Sequence, residues 1–128
     1  MKEEYTTTRF VLGDEATEIP VHFFIVTGHN PFGREVGDEE NREMNEVLRQ
    51  QIEHENWSHF EVTGRCADHA EAGFGVVCPR ENALLLGQEF QQDAIYEVLD
   101  DQVLLVDCQE EEEAIPVGRW SELLLSSS

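Results

Sequence analysis

Two short apolar runs, each leading into a helix-like segment, and a closing pair of strand-like runs place this chain in the α+β class. The first run, Val21–Thr27, reads V-H-F-F-I-V-T, and the second, Ala72–Cys78, reads A-G-F-G-V-V-C. Both are β-branched or aromatic and are closed by Gly or Pro, the pattern of strands buried on both faces. From Val21 onward the elements read β-α-β-β-α-β. That order predicts a ferredoxin-like split βαββαβ antiparallel sheet with two helices on one face, plus an N-terminal edge strand and a C-terminal hairpin extension. The first and third strands are central in that topology, and they are the two most apolar runs.

Each element has its own local reason. Tyr5–Leu12 is rich in Thr with Phe10, Val11 and Leu12, and reads as an edge strand. Gly13-Asp14 begins a turn, and Pro20 opens the central strand. Gly28–Gly37 is a loop containing Asn30-Pro31. Asp38 suits an N-cap, with Glu39 and Glu40 in a favourable first turn. Met44, Val47, Leu48 and Ile52 then form one apolar stripe on a charged helix from Glu39 to about Glu55. Trp57–Thr63 contains a short strand ending at Gly64, and Arg65–Glu71 reads as a polar connection. Gly73 and Gly75 in the next strand suggest close backbone approach or a bulge. After Pro79, Arg80–Gln91 is a second helix, with Ala83, Leu86, Gly87 and Phe90 along one side. Ala94–Leu99 and Val103–Cys108 are hairpin partners around Asp100-Asp101-Gln102. Glu110–Glu113 is a solvated charge run, Ile115–Val117 one more short strand, and Trp120–Leu125 an apolar segment suited to docking on the body. Ser126–Ser128 is a frayed end.

Composition narrows the function classes. At 128 residues with 40% apolar content, the chain is most simply a single domain, residues 1–128, with a core over about 20–108 and an acidic loop and tail over 109–128. Eight basic residues against 28 acidic ones give a net charge of −20. Such a surface repels nucleic acid and anionic membranes, so neither is expected as a partner. Cys66, Cys78 and Cys108 have no short paired spacing and suggest no disulfide framework. Met1–Thr8 lacks the apolar stretch of a signal peptide, and no apolar run reaches the roughly 20 residues of a membrane helix. A reduced, cytoplasmic location is expected.

The predicted topology sorts the loops. The end of the first strand, the connection after the second, and the end of the second helix all fall at one end of the sheet. Thr27, His29, Asn30, Asn41, Arg65, His69, Glu71, Gln88 and Gln92 therefore converge there.

Several of these residues stand in ordered motifs. Thr27-Gly28-His29-Asn30-Pro31, the Asn41 and Asn45 pair, Glu71-Ala72-Gly73-Phe74, and Gly87-Gln88-Glu89-Phe90-Gln91-Gln92-Asp93-Ala94-Ile95 follow one another at characteristic spacing. Together they resemble domain-of-unknown-function family 3293, a family of small bacterial proteins, over about Phe23 to Val98. The family pattern has a T-A-x-N-P turn, an E-x-G-F segment and a G-x-x-F-x-Q-x-A-I/V segment. This chain departs from it at His29, where an aromatic such as Trp is common, and at Gln91, a place often held by Gly. The resemblance implies no particular activity and no cofactor.

Each candidate chemistry stands beside a structural alternative. Asn30-Pro31 with Thr27 is either a self-bonded turn or, with free backbone N–H groups at the helix start, a site for an anion or carbonyl. Asn41 and Asn45 share a helix face and suit either helix–loop bonding or ligand contact. Gln92 suits a buried amide. Cys66-x-x-His69-x-Glu71, with His29, is one irregular trio of ligand types, and no metal is assigned to it. Glu71 with His29 or His69 forms a candidate acid/base pair. No phosphate loop, nucleophile elbow or dinucleotide fingerprint is present. The residues favour a non-catalytic ligand-binding or protein-interaction module. Thr27, Asn30, Asn41, Glu71 and Gln92 would receive a small polar molecule or a protein segment. A small hydrolase- or isomerase-like enzyme is the alternative, and sheet edges leave room for a homodimer.

Overall fold

The structure, a computed structural model, describes residues 8–13, 19–28, 37–66, 69–108 and 114–125. In chain order these form β1 (Arg9–Leu12), β2 (His22–Val26), α1 (Asp38–His54), β3 (His59–Cys66) and β4 (His69–Val76). Then come α2 (Arg80–Glu89), β5 (Ala94–Leu99), β6 (Gln102–Asp107), β7 (Ala114–Arg119) and α3 (Trp120–Leu123). The strands make one antiparallel sheet in the order β1-β3-β4-β2-β5-β6-β7. No helix among the described residues is long and apolar enough to cross a membrane.

The middle strand sets the architecture. Phe23, Phe24, Ile25 and Val26 of β2 are all buried, and successive strand residues point to opposite faces. Phe24 and Val26 pack with Leu48 and Ile52 of α1, Phe74 and Val76 of β4, and Ala83, Leu84 and Leu86 of α2. Phe23 and Ile25 belong to a second core on the other face, with Phe10, Val62, Val98, Val103, Trp120 and Leu123. Trp120 lies against Phe10 and Phe23, at ring separations of 5.4 and 5.2 Å.

The second core requires the sheet to bend around it. Leu124 forms a parallel bridge with Phe10, and the Leu125 N–H donates to the Phe10 carbonyl at 2.7 Å. The segment after β7, at one end of the strand order, thus reaches β1 at the other. The result is a curled half-barrel that is mostly β.

This corrects the predicted ferredoxin-like split βαββαβ fold with an edge strand and a hairpin extension. A four-stranded sheet of that kind needs helices on one face only. Here seven strands join, and the second face is closed by aromatic residues from both sequence ends. Element order alone specifies neither how many strands enter a sheet nor whether it curls.

Smaller corrections follow from the same pairing. Arg65–Glu71 is no polar connection: β3 runs on to Cys66 and β4 starts at His69, the two pairing from His59↔Val76 to Cys66↔His69. The first strand is described only from Arg9, and Tyr5 to Thr7 lie outside the described residues. The last strand is longer than Ile115–Val117, and Trp120–Leu125 begins as a short helix. On α1, Leu48 and Ile52 are buried and Met44 partly so, but Val47 faces solvent.

Asp101 ties the closing segment to the β5–β6 turn. Asp100 and Asp101 have φ of 49° and 70°, as a two-residue hairpin turn with matching twist requires. The Asp101 carbonyl accepts the Trp120 N–H at 2.7 Å. Its carboxylate accepts the Ser121 N–H at 2.8 Å, the Ser121 hydroxyl at 2.9 Å and Arg119 Nε at 3.1 Å. The Ser121 bonds, with Arg119 adding to them, hold this carboxyl below its usual 3.8. A carboxyl whose folded pKa is depressed stabilises the fold above the ordinary value, and that contribution is lost as pH falls through the lower folded value. Asp101→Asn is therefore expected to unfold at lower denaturant concentration than the parent chain near neutrality. The gap should narrow as pH drops below 3.8, which denaturant titrations across acid pH will measure.

Candidate functional site

The pairing registers gather most of the sequence-predicted polar residues at one end of the sheet. Val26 pairs with Phe74, Ile25 with Tyr96, and Ala94 with Asp107. Thr27, the Glu71-Ala72 step, Gln92-Asp93 and Cys108 therefore sit at the same end.

A three-element clamp organises this end. Asn45 of α1 accepts the Gly28 N–H on Oδ1 at 2.8 Å and donates from Nδ2 to the Ala72 carbonyl at 2.6 Å. The Thr27 hydroxyl donates to that same carbonyl, also at 2.6 Å. One amide thus joins α1, the end of β2 and the start of β4. Glycine at 73 permits the approach: a Cβ there would stand 2.6 Å from the Val26 carbonyl oxygen and 3.1 Å from the Thr27 Cβ. Asn41, one turn before Asn45, is buried. Glu71 is half-buried beside the clamp.

The α2 end is built from backbone bonds. Gln91 takes φ of 57°, the Gln92 N–H donates to the Gly87 carbonyl at 2.8 Å, and the Gln91 N–H donates to the Gln88 carbonyl at 3.1 Å. This pair of bonds is a Schellman cap, whose left-handed position glycine fills best. The buried Gln92 amide donates to the Phe90 carbonyl at 3.1 Å, and the Gln88 amide to the Cys108 carbonyl at 2.6 Å. Gly87 lets α2 press on β5 and the end of β6: a Cβ there would stand 2.6 Å from Cys108 Sγ and 3.0 Å from Ile95 Cγ2.

These positions account for the sequence motifs as packing devices. The family described as protein of unknown function (DUF3293) matches residues 26–95, more than half of the chain. The chain belongs to this family. Neither a curated protein nor a solved structure matches it. In the DUF3293 segment of this chain, Asn45 and Gly87 seat helices on strands, Thr27 and Gly73 join β2 to β4, and Gln92 bonds back to the end of α2. The departure at Gln91 falls where the backbone is left-handed.

His29, Asn30 and Pro31 lie outside the described residues, as do the side chains of Cys66 and His69. The acid/base pairing of Glu71 with His29 or His69, and the Cys66-His69-Glu71 trio, fall there too. Among the described residues no group of three or more His, Cys, Asp or Glu is placed to hold a metal ion. Burial pushes the Cys78 thiol up to about 11 and the Cys108 thiol up to about 12. At neutral pH both are therefore protonated and poorly nucleophilic.

The structure also shows a cluster that the sequence reading missed, at the opposite end of the sheet. Glu97 of β5 is the buried carboxylate among the described residues. Its Oε2 lies 2.8 Å from His22 Nε2, and its Oε1 lies 3.3 Å from a guanidinium nitrogen of Arg80 at the start of α2. The signal was present: in A-I-Y-E-V-L, Glu97 shares strand parity with buried Ile95 and so points toward the helices.

Two substitutions test the packing account. Asn45→Ala strips the Gly28 N–H of its acceptor and the Ala72 carbonyl of one donor, and should cost about 2 kcal/mol in urea unfolding. Gln91→Gly relieves the left-handed position and should stabilise the fold by about 1 kcal/mol in the same assay.

Proposed function

We propose that this chain is a non-catalytic ligand-binding or protein-interaction module at the polar end of its sheet. Thr27, Asn30 and Glu71 would meet the partner, and Asn41 and Gln92, both buried, would support them. One observation carries the reading: the clamp of Asn45, Thr27 and the Ala72 carbonyl, bonded at 2.6 to 2.8 Å. It holds three elements in fixed relation, and a preorganised rim loses little freedom when it binds. The clamp also commits the Thr27 hydroxyl proton and the Asn45 amide to backbone groups, which suits them to holding a surface rather than activating a nucleophile.

Glu71 stands beside this rim and supplies the charge. A carboxylate on a rigid strand favours a partner that donates hydrogen bonds, such as a small polar molecule with amine or hydroxyl groups, or a segment of another protein. The net charge of −20 favours cationic partners and disfavours nucleic acid and anionic membrane.

Thermal-shift measurements with a panel of polar metabolites and basic peptides test this reading. At least one class should raise the melting temperature of the parent chain. Glu71→Ala should abolish that rise, each response being read against the unliganded melting temperature of the same chain. A panel without any response, or an equal response in Glu71→Ala, would remove the polar end from consideration.

A further inference from the structure

We propose that Trp120–Leu125 is a strap that releases from the body as one unit, turning at Gly118, while the sheet stays folded. The inference concerns a movement of the closing segment and does not rest on binding at the polar end.

The strap is fastened at its two ends. At the first, the Asp101 carbonyl and carboxylate accept the Trp120 and Ser121 N–H groups and the Ser121 hydroxyl. At the other, Leu124 bridges Phe10, and the Leu125 N–H reaches the Phe10 carbonyl at 2.7 Å. Between them, Trp120 and Leu123 are buried, whereas Ser121 and Glu122 face solvent. The helix here is four residues long and is closed by the Leu124 N–H donating to the Trp120 carbonyl at 3.0 Å. A helix of one turn has no stability of its own. The strap therefore keeps its shape only while it is docked, and the two fastenings support each other.

Release leaves the main scaffold intact. Among the described residues the pairing of β7 with β6 ends at Arg119, and no strand of the sheet contains a strap residue. The helix-side core holds none either. The rest of the second core, Phe10, Phe23, Ile25, Val62, Val98 and Val103, comes from strands. A segment that is tied at its ends and stands outside the ladders opens at a lower free energy than the whole molecule.

Gly118 supplies the turning point. It lies where the register of β7 against β6 shifts, and its φ is 150°. With no side chain it can change φ and ψ at little cost, as hinge positions must. Release uncovers the sides of Phe10 and Phe23 that Trp120 now covers, and both rings are fully buried while the strap is closed. It also frees the Phe10 carbonyl on the outer edge of β1. The strap thus works as a lid over an aromatic face and as a guard on that edge.

Native-state hydrogen exchange on the full chain, read by NMR, tests the strap. In the parent chain the Trp120 and Leu125 amides should share one protection factor. Both should exchange roughly tenfold or more faster than the slowest amides of β2 and β5. Two substitutions each loosen one fastening. Leu125→Pro removes the N–H that reaches Phe10, and it suits Leu124, whose φ of −72° and ψ of 130° are already extended. Asp101→Gly removes the carboxylate and suits the positive φ of that turn position. Leu125→Pro should speed exchange at Trp120 several-fold, and Asp101→Gly should do the same at Leu125. Strap amides as slow as those of β2 and β5 would overturn the proposal, and so would unequal protection at the two ends. Neither of these readings needs a variant. A loosened end that leaves the other unmoved would overturn it as well, since that is fraying rather than release of a unit.

Discussion

A strand that is apolar on both sides needs two covers, and β2 imposes that requirement on the whole molecule. Phe24 and Val26 are met by α1 and α2, which is the familiar use of amphipathic helices against a sheet. Phe23 and Ile25 have no helix of comparable size to meet them. The sheet answers by recruiting more strands and bending until residues from both sequence ends, Phe10 and Trp120, close over the second face. The aromatic contacts there are edge-on or tilted, the geometries that ring quadrupoles favour.

The DUF3293 pattern in this chain acquires a physical meaning at the polar end. Small residues stand where backbones or sulfur come close, and amides stand where a helix has to be tied to a strand terminus. A motif of this type is easily mistaken for a catalytic constellation, because Asn, Gln and Thr serve both purposes. Hydrogen-bond partners tell them apart. In this chain those side chains reach main-chain carbonyls and N–H groups, which have no letter in a sequence.

That difference also explains what was legible. The charged helix with its Leu48 and Ile52 stripe, the β5–β6 hairpin and the apolar β2 are set by local periodicity and turn chemistry, so they could be read directly. The β3–β4 hairpin ran further than expected because polar residues on an exposed strand resemble a loop. The curl was hidden because its closing contact joins Phe10 to Leu124, across almost the entire chain, with no local pattern to announce it. The convergence of Thr27, Glu71 and Gln92 at one end was readable from element order. Glu97 was passed over although its position gave it away, a charge in register with core residues.

The meeting of Leu124 and Leu125 with Phe10 bears on self-association. Among the described residues it leaves β7 as the flank of the sheet without a neighbouring strand, and β7 carries Pro116, which has no N–H to offer. A sheet with two free flanks can add copies of itself indefinitely, each newcomer presenting a fresh border. One whose far border already carries part of its own closing segment directs any strand addition toward the other flank.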